Sequence, residues 1–120
     1  MTAESARLAP CPSSPNCVSS QATDAHHIDP IPFSGNSAQA MRRLRAVIEA
    51  MPRTRIVDAS DTALRAEFTS RLFRFVDDID CIVDPAASVI QIRSASRVGY
   101  SDLGANRKRV EAIRTAFASA

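Results

Sequence analysis

A chain of 120 residues with 45% hydrophobic and 23% charged side chains has the size and balance of one globular domain, far from the profile of disorder. Fifteen Lys/Arg against thirteen Asp/Glu leave a net charge of +2, which excludes a whole-molecule field strong enough to gather nucleic acid or an anionic membrane. No apolar run approaches the roughly 20 residues that a membrane span takes.

The opening Met1-Thr2-Ala3-Glu4-Ser5-Ala6-Arg7 lacks the basic-then-apolar order of a secretory signal. The expectation is a cytoplasmic chain, or a periplasmic or lumenal one from which a leader has been removed. Three cysteines fall short of the even, dense framework of a small secreted scaffold.

Residues 1–36 hold five of the seven prolines, many serines and few large apolar groups. They read as an irregular arm, with Ile28, Ile31 and Phe33 available to pin it to the core as an edge strand. Residues 37–120 read as the single folded domain. Ser37 offers an N-cap to a helix over 38–51, whose inward stripe is Met41, Leu44, Ile48 and Met51 and whose stop is Pro52. The period then changes from 3.6 to 2. Thr54–Ala59 is a short strand, and Ala63–Thr69 alternates Leu64, Ala66 and Phe68 against Arg65, Glu67 and Thr69. Phe73 and Phe75 open a further strand. Its alternation falters at Asp77-Asp78, which predicts a bulge or bend there. Asp84-Pro85-Ala86-Ala87 makes a turn, and Ser88–Arg97 resumes as a strand with Ile90 and Ile92 inward. A last helix, capped by Ser101 or Asp102, runs to about Ala118 on the stripe Leu103, Asn106, Val110, Ile113 and Phe117. The strand links are too short for crossovers. The expected fold is therefore α+β, an antiparallel sheet of about four strands with two helices on one face and the N-terminal arm packed on it.

The small net charge hides two opposed blocks. Asp58 to Asp84 holds seven acidic and three basic residues, and Arg93 to Arg114 six basic and two acidic. A hairpin across Asp84 brings Asp77, Asp78 and Asp80 within reach of Arg93 and Arg97. Two readings compete for this corner. In one, the arginines clamp the bent strand as ion pairs. In the other, Asp77, Asp78, Arg93, Ser94, Ser96, Arg97, Tyr100 and Arg107, with the amides at the start of the second helix, form a ligand- or anion-binding site.

Cys11-Pro12-Ser13-Ser14-Pro15-Asn16-Cys17 followed by His26-His27 is the second cluster of interest. Its residue types suit a metal or thiol-redox site, although five residues between the sulfurs exceed the usual spacing of structural zinc ligands. An inert pair, a disulfide in an oxidising compartment, and metal or redox chemistry all remain open on spacing alone. No phosphate loop, nucleophile elbow or dinucleotide fingerprint is present. Arg107-Lys108-Arg109 is short and lacks stacking aromatics, so no nucleic acid is expected. No catalytic residue is assigned, and no cofactor is required.

Three ordered motifs carry a family resemblance. Pro10–Ser20, Phe75-Val76-Asp77-Asp78 and Arg93–Glu111 together resemble the domain-of-unknown-function family 1499 over about residues 9–115. The resemblance implies a stand-alone bacterial or plastid-associated domain and no assigned activity. Its motifs fall on the Cys-Pro loop and the Asp/Arg corner. An arm with no core of its own is ordered by lying on the sheet, so the Cys11–Cys17 loop is expected to cover the Asp77, Arg93 and Arg97 cluster as a lid. The leading expectation is a small soluble ligand- or anion-binding module. A metal or thiol-redox accessory protein and a scaffold without a site are the alternatives.

Overall fold

The computed structural model describes residues 7–99 and 101–120. Chain order is β1 (Cys17–Ser19), β2 (Ile31–Pro32), α1 (Ser37–Glu49), β3 (Thr54–Ala59), β4 (Ala63–Thr69), β5 (Val76–Asp84), β6 (Val89–Ser96) and α2 (Ala105–Ser119). The fold is α+β, with six strands among the described residues where about four were expected. The four long strands form a meander, and the arm adds the other two. Both β1 and β2 pair antiparallel with the free edge of β6, giving the order β1-β6-β5-β4-β3 with β2 beside the start of β6. One isolated parallel bridge joins Ser19 and His27.

A single buried cluster holds the structure together. Leu64, Ala66 and Phe68 of β4, Ile79 and Cys81 of β5, and Ile90 and Ile92 of β6 enter it. So do Met41, Leu44 and Ile48 of α1, and Val110, Ile113 and Phe117 of α2. Val18, Ile28 and Ile31 bring the arm into the same cluster. Burying each of the Val, Leu, Ile, Phe and Met side chains among these stabilises the fold by about 1.5–3 kcal/mol.

Several local expectations change. Asn36, one residue earlier than expected, caps α1 by accepting from the Gln39 amide at 3.0 Å. Phe73 and Phe75 precede β5 and lie exposed; the strand starts at Val76. Leu103 is exposed ahead of α2 and belongs to no inward stripe. The bend expected at Asp77-Asp78 is absent. β5 keeps unbroken register with β4 from Val76 to Ile82 and with β6 from Asp77 to Asp84. The pattern falters for another reason: Asp77 occupies an inward position in line with Ile79 and Cys81. The register irregularity lies in β3, between Ile56 and Asp58.

Candidate functional site

Regular pleating of β5 and β6 splits the predicted corner between two faces of the sheet. Asp77, Ser94 and Ser96 point toward α2, while Asp78, Arg93 and Arg97 belong to the opposite face. Asp77 therefore does not meet Arg93 or Arg97. Tyr100 lies outside the described residues.

On the α2 side the polar groups form one buried network. Asp77 Oδ2 accepts from Arg109 Nη1 at 2.7 Å, and their side chains are only 9% and 15% exposed. The Arg109 guanidinium also sits 5.0 Å from the centre of the Phe68 ring. Asn106, fully buried, is the hub: its amide Nδ2, with two N–H groups to give, has Asn16 O, Ser96 Oγ and Asp102 Oδ2 within hydrogen-bond distance, while its carbonyl accepts from Ser94 Oγ and Arg109 Nη1. The N-cap position of α2 is Gly104, not Ser101 or Asp102 as expected; Asp102, two residues earlier, accepts from the amides of Gly104 and Asn106. Burial pushes its carboxyl up, but the Asn106 side chain and these amides outweigh that and hold it below the ordinary carboxylate value. The anion-binding position at the start of α2 is thus filled by the chain's own carboxylate.

On the other face, charges alternate in a row. Arg97 donates twice to Asp78, at 2.9 and 2.8 Å, and once to Glu67 at 2.7 Å. Glu67 also accepts two bonds from Arg55 at 3.2 Å, and Asp80 two from Arg65 at 2.7 and 3.1 Å. Arg55 first and Arg97 second hold the Glu67 carboxyl low; Arg97 does the same for Asp78. Arg93 donates from Nη2 to Pro10 O at 3.3 Å, and its buried Nε has no partner among the described residues. Residues 7–9 border Asp80, Ile82, Ala63 and Arg65. The part of the arm that covers this face is therefore residues 7–10. The Cys11–Cys17 loop, expected as a lid over Asp77, Arg93 and Arg97, borders the edge of β6 instead, where Asn16 O accepts from Ser96 N and the Asn106 side chain.

That loop is closed by a Cys11–Cys17 disulfide, with Cα atoms 5.7 Å apart. Cys17 opens β1 and is buried, whereas Cys11 is half-buried. Cys81, the remaining thiol, is buried beneath the sheet, and burial pushes its pKa up. His26 reaches across to the disulfide loop. Its Nε2 lies 2.9 Å from Ser14 O, and its Nδ1 lies 2.9 Å from Asp24 Oδ1. Two acceptors facing two ring nitrogens are both satisfied only by the imidazolium. Ser14 O first, then the Asp24 carboxylate, raise the His26 pKa above 6.5. His27 is separate: its Nδ1 is 3.0 Å from Ala22 O, and its Nε2 is 3.4 Å from Asp29. No group of three or more His, Cys, Asp or Glu among the described residues converges as metal ligands do.

A cleft of about 340 Å³ opens between these parts. Ser13, Pro15 and Cys17 of the disulfide loop and strand form one wall, Ala25 and His26 a second, and Ser101, Asp102, Gly104 and Arg107 the third. Arg107 makes one side-chain hydrogen bond among the described residues, Nη2 to Ala25 O at 3.2 Å. A guanidinium has five N–H donors, so most remain for a ligand. The cleft thus brings together three sequence-predicted candidates, Cys17, His26 and Arg107.

Asn106, Arg109, Asp102, Glu67 and Arg65 were not identified as site residues from sequence. One signal was present for Arg109. An aspartate at an inward strand position needs a cation, and Arg109 is the arginine next to the inward stripe residue Val110.

Residues 7–117 match the family model described as protein of unknown function, DUF1499. No curated protein matches the sequence. Among the described residues, no helix is long and apolar enough to cross a membrane.

Proposed function

Since the chain belongs to the DUF1499 family, whose function carries no assignment, we propose from the geometry that it is a binding module for a small anionic or polar molecule. The site is the cleft between the disulfide loop, His26 and the first turn of α2. One observation carries this reading: the Arg107 guanidinium and the His26 imidazole, from separate segments, line one opening of small-ligand size. Arg107 supplies bidentate donors to a carboxylate or phosphate. His26 holds the loop wall in place through Ser14 O and Asp24, and Asp102 selects against ligands that need the helix amides.

The Asp77 and Arg97 clusters act in this reading as supports, because their charges are satisfied by one another. Both helices cover the face that carries Asp77, their apolar stripes meeting in the common core. The Cys11–Cys17 disulfide fits an oxidising compartment, periplasmic or lumenal, better than the cytoplasm. A thiol-exchange role is the second reading, favoured by the only partial burial of Cys11; a reduction potential near that of a redox catalyst would support it.

Titration with inorganic phosphate and with a small dicarboxylate, followed by amide NMR, tests the proposal. Shifts are expected at His26 and from Ser101 to Arg107. Arg107→Gln should weaken binding by on the order of tenfold or more, the usual value of a hydrogen bond to a charged group. No shift at millimolar concentration of either anion would overturn it.

A further inference from the structure

Where β4 turns into β5, the chain sends large apolar side chains into water. Leu72 is 78% exposed, Phe73 69% and Phe75 53%. Single exposed apolar residues are ordinary, but three within four positions form a patch that the core does not use. The Phe73 and Phe75 rings stack with centroids 5.7 Å apart and so present one apolar knob. Arg71 and Arg74 alternate with these residues and are also exposed. No acidic residue lies between Glu67 and Asp77. Arg53 joins them from the α1–β3 connection, its Nε donating to Thr69 O at 3.2 Å.

We propose that this loop docks the protein on a membrane surface rich in anionic lipid. Leu72, Phe73 and Phe75 enter the boundary between headgroups and acyl chains, while Arg53, Arg71 and Arg74 hold lipid phosphates. The order Arg-Leu-Phe-Arg-Phe places guanidiniums and apolar groups at one depth, which suits an interface where phosphate and hydrocarbon are adjacent. A protein partner fits less well: a knob of six residues offers little of the roughly 800 Å² per side that a stable interface buries. The net charge of +2 does not oppose this. Attraction from a local arginine group acts within about 8 Å at physiological salt, and the nearby carboxylates Glu67 and Asp78 are already paired with Arg55 and Arg97.

Co-sedimentation with vesicles tests the proposal, comparing phosphatidylcholine alone with an equal mixture of phosphatidylcholine and phosphatidylglycerol. Binding to the mixture is expected to exceed binding to the neutral vesicles and to fall with added salt. Arg71→Gln with Arg74→Gln should reduce it by on the order of 25-fold, about fivefold for each guanidinium. Phe73→Ala with Phe75→Ala should abolish retention while circular dichroism stays unchanged, since these rings make no core contact. Arg107→Gln, in the separate cleft, should leave vesicle binding intact. Failure of the wild type to sediment, or equal binding by the arginine variant, would overturn the proposal. So would self-association through the knob without vesicle binding, which would mark the surface as a protein contact.

Discussion

Asp77 and Asp78 are neighbours in sequence and carry the same carboxylate, yet β5 turns one toward α2 and the other to the opposite face. Asp77 meets a single guanidinium in a nearly dry setting, whereas Asp78 shares Arg97 with Glu67 at a surface where Arg97 is 47% exposed. The contacts are almost equal in length, 2.7 Å for the first and 2.8 Å for the second. Their energetic meaning differs. In the buried setting, loss of one partner strands a charge without water; at the surface, solvent takes the partner's place.

The largest effect should therefore follow from breaking the inner pair. Asp77→Ala leaves Arg109 buried and unpaired, and a loss of about 3–5 kcal/mol is expected from the urea midpoint. Replacing both partners with apolar residues of similar volume, Asp77→Leu with Arg109→Met, should restore most of that loss. If the single variant matched wild type, the contrast between the faces would fail.

Arg97→Gln should move the same midpoint far less, and less still at high salt, although it removes three hydrogen bonds. The acid limb sharpens this. Glu67 and Asp78 have folded pKa values below the ordinary 4.5 and 3.8, so the stability they contribute is fully present above those values. It is lost as pH falls through the lowered folded values, and Arg97→Gln should flatten that part of the curve.

His26 lies between the two settings, and its effect should be local and the smallest. Its folded pKa is raised above 6.5, so its contribution is fully present below 6.5 and is lost as pH rises through the folded value. An NMR titration of the ring should place the midpoint above 6.5, with amide exchange near Ser14 speeding up on the alkaline side. A midpoint below 6.5 would show that the ring does not bridge the two loops as an imidazolium.

Much of this was readable from the residues. Leu64, Ala66 and Phe68 alternate cleanly in β4, and Met41, Leu44 and Ile48 mark the buried side of α1, because in both elements the apolar period matches burial. β1 was not separable from the arm, and β2 was legible only as an edge strand somewhere over Ile28, Ile31 and Phe33. At three and two residues they are too short to show a period, and they exist because β6 offers amides and carbonyls to pair with. At Asp77 the pattern itself misled: an inward carboxylate looks like a bend until its partner, 32 positions away on α2, is known. The ligand cleft was legible only as separate residues. Spacing cannot place Arg107 beside His26, since their proximity depends on how α2 and the arm meet at β6.

The two short arm strands have one more consequence, for association. Without them, β6 would end the sheet as a long flat strand with Ile90 and Ile92 behind an open row of amides and carbonyls, a template for another chain. Instead that row is divided between two brief segments, one of which carries Pro32, a residue with no N–H to offer. The opposite border, β3, is broken by its irregularity after Ile56 and carries Arg55 and Asp58. Both borders of the sheet thus discourage edge-to-edge growth, and a chain trimmed of its first 32 residues would be expected to aggregate through β6 before it lost its core.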